Sequence, residues 1–130
     1  MRRLLALALL AGCGGDRFFR PLEIEIDGLS ARADTLVLKL FPAESGQTCT
    51  AVTMESAREL SAPHEATWRR ADGAERRFEL PAIESDGITI IAYALMNDAP
   101  IQFLCRELSF AEIADLEDGR LILSLSRRAS

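Results

Sequence analysis

From residue 22 onward the chain alternates between apolar and polar positions in short stretches broken by turn-forming pairs. Leu22, Ile24 and Ile26 alternate with Glu23, Glu25 and Asp27 behind Pro21, the period-two signature of a half-buried strand. Asp27-Gly28 ends that strand with turn chemistry. A second strand is predicted over Thr35 to Phe41, with Leu36, Leu38 and Leu40 on one face and a mixed set, Val37, Lys39 and Phe41, on the other. Pro42 lacks the donor that would continue its ladder. Thr67-Trp68-Arg69-Arg70, then Ala71-Asp72-Gly73, then Arg77 to Leu80 reads as a hairpin with Phe78 and Leu80 inward, because Asp-Gly marks a tight turn between strands.

The most apolar strand is predicted from Ile88 to Leu95, after the turn Asp86-Gly87. Ile88, Ile90, Ala92 and Ala94 share one face and Ile91, Tyr93 and Leu95 the other. Both faces need cover, so this strand belongs inside a packed sheet. Asn97-Asp98-Ala99-Pro100 turns the chain back into Ile101 to Leu108. Ser109-Phe110-Ala111-Glu112 has the form of a capping box, which predicts a short helix carrying Ile113 and Leu116 and ending by Gly119. Leu121 to Leu125 is the last strand, with Leu121, Leu123 and Leu125 inward. The least regular stretch is Ala43 to Ala66: a loop through Gln47, then Thr53 as cap of a short helix with Met54, Ala57 and Leu60 at helical spacing and Pro63 beyond it.

About six or seven closely spaced strands predict a mainly β fold, a single antiparallel β-sandwich with one or two short helices. The run Phe78-Glu79-Leu80-Pro81-Ala82-Ile83, then Asp86-Gly87, then Ile88 to Ala94, resembles the strand-turn-strand unit of transthyretin-like domains and of the regulatory β-domains attached to some carboxypeptidases. That resemblance implies a transthyretin-like sandwich, with an immunoglobulin-like one as the other arrangement of the same class. Neither fold fixes a function.

The amino terminus breaks the alternation. Met1-Arg2-Arg3 is basic, Leu4 to Leu10 is apolar, and Leu10-Ala11-Gly12-Cys13 follows. A positive start, a short apolar run and small residues read as a secretory signal, and the run is shorter than the ~20 residues that span a bilayer. The tetrapeptide resembles the lipobox of bacterial lipoproteins. What it implies is cleavage before Cys13, diacylation of the Cys13 sulfur and acylation of the new amino terminus, and two or more acyl chains anchor stably. The expected organisation is a signal peptide over 1–12, a lipidated tether over 13–20 and a β-sandwich over 21–127. Gly14 follows the lipidated cysteine where an aspartate favours inner-membrane retention in lipoproteins of two-membrane bacteria, so the resemblance implies a cell-envelope protein at the outer membrane.

Charge and cysteines narrow the partners. After the signal, thirteen basic residues stand against twenty acidic ones, a net −7, and Lys39 is the one lysine. That balance argues against nucleic acid and an anionic membrane surface as direct partners. With Cys13 claimed by lipid, Cys49 and Cys105 remain, and in an exported chain two cysteines predict one disulfide.

Candidate chemistry is thin. His64, the one histidine, lies in a predicted loop beside Glu65, with no Gly-x-Ser-x-Gly elbow and no spare thiol to complete a nucleophilic site. Glu84-Ser85-Asp86-Gly87 and Asn97-Asp98 are oxygen-rich turns expected near one another at one end of a sandwich, but calcium takes six to eight oxygen ligands and the loop spacing of an EF-hand is missing. No metal and no cofactor are expected. Trp68, Arg69 and Arg70 combine the residue types that dominate interface hot spots and form a candidate recognition surface. The expectation is therefore a lipid-anchored envelope module that binds or scaffolds an unknown protein or glycan partner without turnover. The alternatives are a periplasmic inhibitor of a hydrolase, which needs a protruding loop such as Ala43 to Ala66, and an enzyme, which needs a pocket converging on His64 or the acidic turns.

Overall fold

In a computed structural model the described residues are 22–73, 76–80, 85–116 and 119–125. The signal, the tether, Pro21 and the end of the chain from residue 126 lie outside them. The strands are β1 (Leu22–Asp27), β2 (Thr35–Pro42), β3 (His64–Arg69), β4 (Arg77–Leu80), β5 (Gly87–Met96), β6 (Ala99–Ser109) and β7 (Arg120–Ser124). They form a three-stranded sheet of order β4-β1-β7 and a four-stranded sheet of order β3-β2-β5-β6, a β-sandwich.

Alternation places the core. Leu22, Ile24 and Ile26 of β1, Leu36, Leu38 and Leu40 of β2, Phe78 and Leu80 of β4, and Leu121, Leu123 and Leu125 at the end of the chain are all buried between the sheets. Strand β5 divides as its pattern requires. Ile88, Ile90, Ala92 and Ala94 join that core, while Ile91, Tyr93 and Leu95 face the other way and pack with Phe41 and Ala57 in a second cluster.

Two pairings differ from the expectation. Strand β1 pairs antiparallel with β4 but parallel with β7, with Ile24 opposite Leu121, so the sandwich is mixed rather than wholly antiparallel. Arg77–Leu80 does not return along β3. It crosses to the other sheet, where Phe78 lies opposite Ile24, and β3 pairs with β2 instead. The turn residues explain the change, because Arg70–Asp72 is a single 3-10 turn in which the Asp72 carboxylate accepts the Arg69 N–H. Asp-Gly closes that local turn and leaves no hairpin. Strands β4 and β5 likewise belong to different sheets, so the two strands of the transthyretin-like unit are not hydrogen-bonded to each other.

Two helices form on their caps. In α1 (Met54–Ala57) the Thr53 side chain accepts the Ser56 N–H and the Ser56 hydroxyl accepts the Thr53 N–H. In α2 (Phe110–Ala114) Ser109 and Glu112 do the same, a reciprocal capping box. The hairpin between β5 and β6 turns on Asn97 and Asp98, both at positive φ (51° and 70°), the conformation of a tight two-residue loop.

Candidate functional site

Residues 43–62 lie against the outer face of the four-stranded sheet as a cover, with Ala57 buried and Val52, Leu60 and Ala62 half-buried there, and are held at several points. Cys49 and Cys105 are bonded, with Cα atoms 5.7 Å apart at a sequence separation of 56, which ties the cover to β6. The Cys49 N–H donates to a Glu107 carboxylate oxygen at 2.7 Å, and the Thr89 hydroxyl donates to the Gln47 carbonyl. At the other end the Lys39 ammonium, 4% exposed, donates to the carbonyls of Ala57, Arg58 and Leu60 at 2.9, 3.1 and 2.6 Å. These carbonyls lie at and just beyond the end of α1, where the last C=O groups favour a cation, and that of Ala57 also accepts the Leu60 N–H. The same ammonium lies 5.4 Å from the centre of the Tyr93 ring. Arg58 reaches the hairpin, with its guanidinium on the Asp98 carboxylate at 2.9 Å and on the Asp98 carbonyl.

The predicted recognition surface divides. Trp68 is a core residue, 6% exposed, and its ring packs between the sheets. Arg70 lies 5.6 Å from that ring and donates to the carbonyls of Ala33 and Ser30, which fastens the loop before β2. Arg69 and Arg70 are both exposed while Trp68 is buried, so the arginines, and not the tryptophan ring, face solvent there. Alternation toward the core claims Trp68, and its indole N–H is buried without a hydrogen-bond partner.

His64, expected in a loop, is a strand residue. His64 begins β3, opposite Leu40, and the same level of the sheet continues through Ile90 to Arg106 at the far edge. Three strand spacings of about 4.8 Å place that edge ~14 Å away. A depression of about 430 Å³ lies on the β6 side, lined in part by Asp86, Glu107 and Glu112. Two of its carboxylates serve the backbone: Glu107 accepts from Cys49 and Glu112 from Ser109. The Ser109 N–H, then its hydroxyl, holds the Glu112 carboxyl below the ordinary carboxylate range. The oxygen-rich turns do not meet at one end of the sandwich: Ser85–Gly87 and Asn97-Asp98 lie at opposite ends of β5, ~30 Å apart at the strand rise, so they cannot share one cation, and Glu84 lies outside the described residues. Among the described residues no group of three or more His, Cys, Asp or Glu could hold a metal.

Sequence reasoning passed over the edge of β6. Its eleven residues pair on one side only, with β5, and no backbone hydrogen bond to its other side is present among the described residues. The other edges are short or charged: β3 carries Glu65 and Arg69, β4 has four residues including Arg77 and Glu79, and β7 has five. Edge strands of natural proteins carry such charges to prevent pairing. On β6, Pro100 and a register shift between Ala94 and Leu95 guard one end, and Arg106 and Glu107 the other. The middle, Ile101 to Cys105, carries no charge. The one advance signal was composition, an uncharged run of strand-forming residues.

No family model, no curated protein and no solved structure matches this chain.

Proposed function

We propose that this protein is a lipid-anchored cell-envelope module, held by acyl chains on Cys13 at the outer membrane, that binds or scaffolds a partner without turnover. The observation that carries the binding half is the open, uncharged middle of β6, because a sheet edge with unpaired backbone groups is a template for association. The anchoring half is supported by Leu10-Ala11-Gly12-Cys13 and the basic and apolar residues before it. Binding is favoured over catalysis because the buried polar side chains serve the architecture. Lys39 holds the cover, Ser85 accepts the Ala43 N–H, and Gln102 bridges Ser30 and Gly28.

Both halves can be tested in one strain. Metabolic labelling with a fatty-acid analogue should mark the protein, and Cys13→Ala should abolish the label. A photo-crosslinking residue at Leu104, on β6, should give a discrete adduct in the native envelope, whereas the same residue at Glu79, exposed on the three-stranded sheet, should not. Equal adducts at both positions, or none at Leu104, would contradict binding through β6.

A further inference from the structure

A cavity of about 520 Å³ lies near the start of β6, between the loop of residues 28–32 and the side chains of Ile101 and Gln102. Small-molecule sites run to roughly 300–1,000 Å³. The wall of this one is fixed by bonds of the fold. Gly28 stands at a positive φ of 79°, where an added Cβ would meet the Leu125 carbonyl oxygen at 2.8 Å. The Gln102 side chain, 5% exposed, donates to the Gly28 carbonyl and accepts the Ser30 N–H. Arg70 holds the Ser30 and Ala33 carbonyls, and the Ser30 hydroxyl accepts the Arg32 N–H. A loop tied at so many points has little freedom left to lose when a ligand binds.

We propose that this cavity binds a small carboxylate with a secondary amide beside it, of the N-acylated amino-acid type. Three features of the lining select that chemistry. Arg32 lines the cavity, and its guanidinium has no hydrogen bond or ion pair among the described residues. In an otherwise acidic chain the described lining carries no carboxylate, so this cation is open to one from outside, which a guanidinium grips through two parallel bonds. The Gln102 amide has two donor hydrogens and two acceptor lone pairs on its oxygen, and the loop uses one of each. What remains is one donor and one acceptor, the complement of a second amide. Leu29 and Ile101, both half-buried, give a small alkyl group apolar surface. A sugar ring would call for an aromatic face to lie on, and the described lining has none. This site goes beyond partner binding through the edge of β6 and stands without it.

The test is a titration of the isotope-labelled full chain in detergent micelles, followed by amide chemical shifts. The probes are N-acetylalanine, its neutral counterpart N-acetylalaninamide, N-acetylglucosamine and acetyl-trialanine. N-acetylalanine should shift the Gln102 side-chain amide and the backbone amides of Ser30 and Ala31 saturably, binding at least about tenfold more tightly than the neutral probe. Arg32 is exposed, so Arg32→Gln should leave the strand resonances in place and abolish that preference. No saturable shift at these residues, equal affinity for the charged and neutral probes, or an unchanged preference in Arg32→Gln would overturn the proposal. Tighter binding of N-acetylglucosamine would overturn it by assigning the cavity to a sugar, and much tighter binding of acetyl-trialanine by assigning it to the end of a peptide chain. Shifts at the same residues that grow with protein concentration before any probe is added would overturn it by identifying a second copy of this chain as the occupant. None of these outcomes bears on crosslinking from Leu104, so the two readings fail separately.

Discussion

The four-stranded sheet has an apolar layer on each face, and the two layers are held by different means. The layer between the sheets draws on seven strands, and its members include Ile24, Leu36, Leu38, Leu40 and Ile90, all fully buried. Apolar burial at about 25 cal/mol per Å² accounts for a layer of that kind without special bonds. The buried members of the outer layer are few, Phe41, Ala57, Ile91, Tyr93 and Leu95, and its cover is an irregular segment containing a 3-10 turn (Ala43–Ser45) and one four-residue α-helix. Ordering each residue of such a segment costs about 1–2 kcal/mol of backbone entropy. The segment is placed instead by particular bonds: the disulfide at one end, and Lys39 and Arg58 at the other. Where burial is thin, fastenings decide the structure.

That contrast can be broken at the fastenings and at the layers. The largest effect is expected from Cys49→Ala/Cys105→Ala. Opening a loop of about 57 residues should cost ~4 kcal/mol in the chain-entropy account, read from urea unfolding without reductant. Next is the pair Ile90→Ala and Ile91→Ala, neighbours on β5 that are both fully buried but face different layers. Truncation costs most where the surroundings cannot collapse into the void. Ile90→Ala should therefore lose about 4 kcal/mol, and Ile91→Ala, under a cover that can settle, about 2 kcal/mol. Equal losses would mean that the outer layer is as rigid as the inner one.

Lys39→Met keeps the length of the side chain but leaves three carbonyls without their donor. A loss of about 2 kcal/mol is expected, with faster amide exchange around Leu60. Combined with loss of the disulfide the effects should fail to add by roughly 1 kcal/mol, because both fasten one segment. The Arg58–Asp98 pair is more exposed, with 35% and 84% of the side chains accessible, so Asp98→Ala should cost well under ~1 kcal/mol.

Acid separates the layers in another way. The Arg120 guanidinium lowers the Glu25 carboxyl, the Asn97 N–H and the Thr35 hydroxyl lower that of Asp34, and Ser109 lowers that of Glu112. Carboxyls lowered by folding contribute stability that is complete above the ordinary carboxylate range and is lost as pH falls through the lowered values. All three stand outside residues 43–62. An acid titration followed by amide chemical shifts should disturb β1, the β5–β6 turn and α2 first, while Ala57 and Leu60 stay in place under Lys39 and the disulfide.

Alternation made much of this fold legible. It assigned both faces of β5 residue by residue, and the two capping sequences announced their helices. Pairing was less legible because it is not local. Nothing within Thr67 to Leu80 shows that β4 crosses to the other sheet, since the same Asp-Gly that suits a hairpin also closes a 3-10 turn. Lys39 was visible as one charge on a mixed face, but its carbonyl partners come from a segment 18 to 21 residues away, whose path the sequence does not specify. The oxygen-rich turns were a different case. The expectation that they meet at one end of the sandwich overlooked the predicted strand between them, which sets them at its opposite ends.

Amide exchange of the full chain, oxidised and then reduced by dithiothreitol, tests the division between the layers most directly. Reduction should release the amides near Cys49 and Val52 by a local opening, while those of β2 and the centre of β5 keep exchanging only through global unfolding. A reduced protein in which the cover and β5 lose protection together, with one common free energy, would show a single cooperative layer and contradict the account.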